Sequence, residues 1–458
     1  MEAGFCIEGA EFRGEGNSSL VCALKDGASV LKLKKTSVVF NENVPVIEED
    51  WLGLHKYQVS FIRNVAVPLF GASLVDIPTI VQLRGEDIAK LNNLVRQDRA
   101  IHRLKKTLSP SLNCGLVFPD NCLFKSLPQN NIPLEGPLVC VELKTKMGFL
   151  PVGIPPDLQL KSRICRFHLV QNRKFRQGRV QQISNYCPLD LFSGCPERME
   201  CAILELLHNP QNNLRVFCDR RQIFGGERNR SQLDLREFFK LARDRGARDL
   251  CNLIKMALCL PLKEDRCKEA TLGAARVELR DCLFSTKCCC DTGSSGTCPS
   301  ELIPVSRHRI PERSVLWRIL QCQQLSSEDV SKIYRSTYAH HEPDRFFNKM
   351  YPEAVIPKNI LSETKIQCES QEEFEHRVLW KFLVALTCRD CSVMLTMQRI
   401  SKSWSGKPSD PKLNVLEYGG QRYLLSIGVV DLEPKKLDRV AKQFQDDLSM
   451  INNFSMEF

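Results

Sequence analysis

Residues 141–151 read VELKTKMGFLP, alternating apolar and charged side chains with the period of a half-buried strand. Alternation would place Glu142, Lys144 and Lys146 together on one face and turn Val141 and Leu143 into a core. Lysine and glutamate are seldom buried without partners, so three such charges in register point to a polyanion more than to packing. The same pattern, taken alone, also fits an amphipathic edge strand with a solvated polar face. Gly148, Phe149 and Pro151 close the strand abruptly, and ligands commonly bind where strands end, so a binding face is the preferred reading.

A chain of 458 residues exceeds the usual size of one hydrophobic core, which predicts two packed units joined by a cleft. No run of about eighteen uncharged apolar residues occurs, so membrane insertion is not expected. The start, MEAGFCIEGAEF, is too acidic and too short in apolar length for a signal peptide, and a soluble protein of the cytoplasm or nucleus is expected. The 22 cysteines are scattered through ordinary core segments, the pattern of reduced thiols in such a compartment and not of a disulfide scaffold. A formal charge of +10 favours anionic partners, whether nucleic acid, a membrane surface or a phosphorylated small molecule, without choosing among them. Aromatic content of 7% offers little for base stacking, which argues against nucleic acid.

Residues 11–35 read as strand, glycine turn, strand, Asp-Gly turn, strand, a small N-terminal sheet with Val30, Leu31 and Leu33 apolar. A helix is predicted around Asp87 to Arg99, where Ile88, Leu91 and Leu94 recur at helical spacing. Leu116 to Phe118, followed by Pro119 and Asp120, would connect the two units, giving a first domain over 1–119 and a second over 120–458. Further helices are predicted over Arg198 to His208 and Gln371 to Leu386, the latter with Phe374, Val378, Phe382 and Leu386 at every fourth position. SVMLTM and Leu424 to Val430 read as strands; the second delivers Asp431, and Pro434 would open a new helix. Residues 282–300, rich in cysteine, glycine and serine, read as an inserted loop.

Gly14, Glu15, Gly16 and Asn17, between two strands, form a turn whose backbone could approach phosphates and donate its amides, although a plain glycine hairpin would look the same. The next strand carries Lys32 where a protein kinase carries the lysine that pairs with nucleotide phosphates. Phosphoryl transfer needs one carboxylate to accept the hydroxyl proton and another to hold the metal, and Asp390 and Asp431 each follow an element that could position them. A turn residue and a helix cap are the plainer readings of those two acids. Lys435 and Arg439 lie four apart and would share a helical face beside Asp431. Gln211, Asn212, Asn213 and Arg215, with Arg166, Arg173 and Lys174, add amides and guanidinium groups suited to phosphate.

Together these segments resemble the inositol-pentakisphosphate 2-kinase family. RGEGNSSLV, VLKLKK, VELKTKMGFLP, CRFHLVQNRK, YCPLDLFSG, NPQNNLRVF, CRDCSVML and VVDLEPKKL occur in the family's order over nearly the whole chain. The resemblance implies an α+β, two-lobed fold related to inositol polyphosphate and protein kinases, with a small sheet-rich N-lobe and a larger mixed C-lobe. It implies ATP- and Mg2+-dependent transfer to the 2-hydroxyl of inositol 1,3,4,5,6-pentakisphosphate, giving the hexakisphosphate, phytate. Gly14 to Asn17 would cover the ATP phosphates and Lys32 would touch them. Asp120 and Asn121 would lie near the adenine, Glu142 and Arg215 would complete the nucleotide site, and Asp431 would ligate the metal. Lys144, Lys146, Lys174, Asn212, Asn213, Lys435 and Arg439 would grip the inositol phosphate, with Arg103 reaching it from the small lobe and Asp390 as general base.

The chain departs from the family at three places. Thr145 replaces the proline of an E-x-K-P-K signature, Pro119 and Asn121 stand in a connector where relatives differ, and Gln443 stands where a tyrosine would help hold substrate. The family's larger lobe can also hold a structural zinc. Cys282, Cys288, Cys289, Cys290 and Cys298 are candidates, but adjacent cysteines lack the usual ligand spacing, so zinc is not the expectation, and Cys388 and Cys391 are read as non-metal. A monomer is expected. The reading from a different class is a catalytically silent protein that binds inositol polyphosphate or RNA on the same basic surface.

Overall fold

A computed structural model describes residues 5–37, 50–97, 99, 101–124, 132–226, 246–262, 283–286, 309–336, 369–406 and 413–454. The architecture is α+β, built on two antiparallel sheets with separate apolar clusters. Among the described residues no helix is long and apolar enough to cross a membrane. Of the cysteine-rich stretch only residues 283–286 are described, so the candidates Cys282, Cys288, Cys289, Cys290 and Cys298 lie outside the described residues.

The first sheet has the order β1 (Glu11–Glu15), β2 (Ser19–Ala23), β3 (Ser29–Ser37), β6 (Cys114–Pro119), β4 (Thr79–Gln82), with β5 (Lys106–Leu108) paired to the end of β3. The Asp-Gly turn forms as expected: Gly27 takes φ +69°, where a Cβ would be strained, and Asp26 Oδ1 accepts the amides of Ala28 and Ser29. Leu20, Cys22, Leu31 and Leu33 point inward against Ile88, Leu91 and Val95 of the helix Gly85–Arg96. The apolar stripe therefore runs through Val95 and not Leu94, which is 48% exposed, and the helix stops three residues short of Arg99.

The second sheet has the order β11 (Leu413–Tyr418), β12 (Gln421–Val430), β10 (Ser392–Ile400), β7 (Leu134–Lys144), β8 (Leu214–Cys218), β9 (Arg221–Gly225). The strand of VELKTKMGFLP is thus interior, paired on both sides, and not at an edge. Val141, Leu143, Val393, Leu395, Leu425 and Ile427 form one face of a core closed by the helices Pro196–His208, Gly246–Cys259 and Val315–Gln323. The helix Gln371–Cys388 starts on a capping box, Ser370 with Glu373, and runs two residues past the expected end. Its last three turns are buried all round, because Trp380, Val384 and Cys388 face the sheet while Phe382 and Leu386 face the helices Val330–Ser336 and Asp438–Asn452. That last helix begins at Asp438, four residues beyond Pro434, which leaves residues 431–437 as a non-helical link.

Candidate active site

Three strands of the second sheet end at one level. Lys144 of β7 and Val430 of β12 both pair with Ser392, the first residue of β10. Lys146, Asp390 and Asp431 all lie just beyond that rim, so strand register makes neighbours of Lys144 and Asp431, 287 positions apart in sequence. β7 stops at Lys144, so alternation does not deliver Lys146 as the sequence predicts. Lys146 instead adopts φ +58°, and Asp431 adopts φ +62°. Left-handed backbone costs an ordinary residue about 1–2 kcal/mol, and here it turns both side chains into a shared cluster.

Lys144 Nζ donates to Asp431 Oδ2 at 3.0 Å, and Lys32, from β3 of the other sheet, donates to Oδ1 at 3.3 Å. Lys435 and Lys146 donate to opposite oxygens of Asp390 at 3.1 and 3.5 Å. Ser392 Oγ lies 3.1 Å from Asp431 and 3.3 Å from Glu142, donating to one at a time, and Arg215 pairs with the other Glu142 oxygen at 2.9 Å. Lys34, two residues after Lys32, pairs with Glu433, two residues after Asp431. Sequence reading missed Ser392, Lys34 and Glu433; the i, i+2 spacing from Lys32 and from Asp431 was the available signal.

Four lysines thus surround two aspartates. Burial pushes the Asp390 and Asp431 carboxyls up, but Lys146 and Lys435 around the first, and Lys144 and Lys32 around the second, outweigh it and hold both well below the usual range. Burial pulls Lys144 and Lys32 down, yet the facing carboxylates raise both above an ordinary lysine. At Lys146 burial wins over Asp390, and its ammonium is lowered.

Three of the eleven buried side-chain atoms without a hydrogen-bond partner among the described residues, Thr145 Oγ1, Asn213 Nδ2 and Arg439 Nε, belong to the segments that carry Lys144, Lys146 and Lys435 or pair with them. Asn213 is held close, since its carbonyl accepts the Lys144 amide at 2.8 Å. Asn212 beside it and Lys174 on the helix Arg166–Arg176 are half-buried. Gln443 is 6% exposed and lines a small cavity with Arg166, Arg389 and Asp447.

Other expected contacts fall elsewhere. A Cβ built on Gly14 or Gly16 meets nothing within 4 Å, so the glycine turn, with exposed Asn17, borders open space. The Glu15 carboxylate faces inward, held by Lys35 and by Arg99 at 3.0 Å. Asp120 is 4% exposed, and its carboxylate is bound by Arg13, Arg220 and the Cys122 amide, which ties β1, the connector and the β8–β9 turn together. Asn121 donates to Asp76, and its carbonyl accepts from Thr396 at 2.6 Å. Arg103 sits in a short turn, Ile101–Arg103, whose carbonyl accepts from Arg99 and whose charge acts on Lys35.

Cys165, His168 and Cys187 are buried with their ligand atoms all within 4.8 Å of one another, the one metal-competent cluster found among the described residues. Phe284 stacks on the His168 ring at 4.7 Å.

Residues 12–449 match the family model described as inositol-pentakisphosphate 2-kinase. The chain belongs to the inositol-pentakisphosphate 2-kinase family. The inositol-pentakisphosphate 2-kinase of Danio rerio is 27% identical over 97% of this chain and 92% of its own length. That of Arabidopsis thaliana is 25% identical over the same shares. A stretch of 70 residues, 15% of this chain and 11% of the relative, is 47% identical to the Drosophila melanogaster member.

Proposed function

We propose that the chain transfers the γ-phosphoryl group of ATP to the 2-hydroxyl of inositol 1,3,4,5,6-pentakisphosphate. The observation that carries this reading is the meeting of Asp390, Asp431 and four lysines at the rim where β7, β10 and β12 end. Five phosphates carry a charge of roughly −7.5 to −10 at neutral pH, which a cluster of ammonium groups with orphaned amide and guanidinium donors suits.

On this reading the two sheets mark a small and a large lobe of a kinase-like fold, divided near residues 119 and 120. Gly14 to Asn17 and Lys32 hold the nucleotide phosphates, with Glu142 and Arg215 alongside. The side chains of Glu15, Asp120 and Asn121 support the lobe and connector and leave any nucleotide contact there to the backbone. Lys144, Lys146, Lys174, Asn212, Asn213, Lys435, Arg439 and Arg103 hold the inositol phosphate. Asp431, a hard oxygen donor beside the Ser392 hydroxyl, would hold a magnesium ion, which when bound would supply neutralisation of phosphate charge.

Chemistry then follows from placement. The substrate oxygen bonds to the γ-phosphorus as the bond to the ADP oxygen breaks, and the hydroxyl proton passes to Asp390. In a loose transition state that proton leaves late, so a base of low affinity suffices provided it is ionised and aligned. Lys146 and Lys435 keep Asp390 ionised in the empty site; substrate phosphates drawing them away would raise its proton affinity during turnover.

The test is conversion of inositol pentakisphosphate to hexakisphosphate with ATP and Mg2+, beside Asp390→Asn. Product from the native chain and none from the variant is expected. Tight substrate binding without product would leave a silent binder on the same fold.

The chain works as a monomer in the cytoplasm or nucleus, where its cysteines stay reduced; every described cysteine is a free thiol. Among the described residues Cys165, His168 and Cys187 offer three donors to a structural zinc, one short of the usual four. The donors are two sulfurs and an imidazole with C-x-x-H spacing, and tetrahedral zinc would need the 2.9 Å between Cys165 Sγ and His168 Nδ1 to open to about 3.5 Å. Elemental analysis of untreated protein tests the site: one zinc per chain, lost in Cys187→Ser, would support it, and a metal-free native protein would refute it.

A further inference from the structure

Gln323 ends the helix Val315–Gln323 and is 0% exposed. Its amide joins two segments that carry opposite halves of the site. Nε2 donates to the Lys146 carbonyl at 2.7 Å and lies 3.4 Å from that of Cys388, while Oε1 accepts the Gly148 amide at 3.0 Å. The Gln323 main-chain carbonyl accepts from Arg389 at 3.4 Å. That arginine is also tied to the Ser326 carbonyl and lies over the rings of Phe149 and Phe382, at 5.3 and 5.6 Å.

One side chain therefore fixes the carbonyl of the left-handed Lys146 and, on the other side, the helix end from which Asp390 follows two residues later. Lys146 in that conformation costs about 1–2 kcal/mol, and once β7 has ended at Lys144 nothing in strand geometry holds it there. Capture of its carbonyl and of the Gly148 amide by one buried group supplies the constraint. Only a primary amide of this length serves: two carbonyls need a donor, one amide needs an acceptor, and both must be reached from a helix end.

We infer that Gln323 is a positioning residue that sets the distance between Lys146, on the substrate, and Asp390, the base. It touches neither substrate nor the reacting atoms. The inference rests on the assignment of Asp390 and Lys146 under the proposed function.

The experiment compares native chain, Gln323→Leu, Gln323→Glu and Asp390→Asn in steady-state kinetics with both substrates varied, and titrates inositol pentakisphosphate binding separately. A displacement of about 1 Å at a phosphoryl-transfer site costs about 100-fold, so kcat should fall about that much in Gln323→Leu. KM for ATP should stay within about two-fold, because Lys32, Glu142 and Arg215 are untouched, while the Kd of inositol pentakisphosphate rises five- to ten-fold as Lys146 relaxes. The Glu variant, equal in size but without donors, should behave like Leu. A loss of rate that tracks the fraction of folded protein, with both KM values and the Kd unchanged, would show a merely structural group and overturn the inference, as would unfolding of both variants. An inactive native chain would refute the proposed function, and the binding titration would still report whether Gln323 places Lys146.

Discussion

Replacing Asp390 with asparagine should separate binding from catalysis in opposite directions. In the empty site Asp390 occupies the ammonium groups of Lys435 and Lys146 at 3.1 and 3.5 Å. The phosphates of the substrate must compete for those lysines. The Asp390 side chain is 51% exposed, so solvent screens both pairs, and each is worth about 1 kcal/mol once side-chain ordering is subtracted. Removing the charge releases both lysines, a gain of about 1–2 kcal/mol that corresponds to about five- to thirty-fold tighter binding of inositol pentakisphosphate. Turnover should fall by about 100- to 10,000-fold with the loss of the base. Calorimetric titration at low salt and again at about 0.5 M reads the first effect, which should shrink as the Debye length drops to about 4 Å. A coupled assay reads the second. Weaker binding by the asparagine variant would mean that Asp390 helps hold substrate instead of competing for its lysines, and turnover within ten-fold of native would remove it as the base.

Three further outcomes follow from the described contacts. Lys161 is 5% exposed between Asp329 and Asp447, each 1% exposed, so Lys161→Met leaves two buried carboxylates short of a cation and should cost about 3–5 kcal/mol in denaturant unfolding with unchanged m; a loss below about 1 kcal/mol would contradict the burial argument. Gly148→Ala places a Cβ 2.3 Å from a carbon of the fully buried Phe192 ring and should destabilise by about 1–3 kcal/mol, visible as a lowered Tm; an unchanged Tm would show that the ring yields. Because Asp431 and Asp390 titrate below their unfolded values, the stability they supply is fully present above about pH 5 and is lost as pH falls through about 3.9 toward the folded pKa. Tm should therefore drop on acidification less steeply in Asp431→Asn than in the native chain, and equal slopes would refute the assignment.

The strands, the Asp-Gly turn and the long helix before Asp390 were legible because each rests on a local pattern: period two, a turn dipeptide, or apolar residues every fourth position. The charged cluster was legible as a set of residue types. Its geometry was not. Lys146 meets Asp390 through a left-handed residue that no alternation rule anticipates, and Asp120 and Glu15, chosen as nucleotide contacts, are consumed by Arg13, Arg220, Lys35 and Arg99. Gln323 gave no signal at all, since a buried amide in a helix reads as any polar residue until its three partners are known.

At the site the two sheets meet through charge, while elsewhere Phe118 of β6 packs against the larger apolar cluster. Their clusters are separate; the helix Trp51–Phe61 runs between them, with Trp51 in the smaller and Phe61 in the larger. At the site the seam is ionic: Lys32 to Asp431, Lys34 to Glu433, and Arg13 with Arg220 on Asp120. Side chains two apart on β3 face side chains two apart beyond β12, so both pairs form only when the sheets are in one register. The pairs Lys32–Asp431 and Lys34–Glu433 are the part of the seam that two highly charged substrates would loosen, by giving each ammonium group a phosphate in place of its carboxylate.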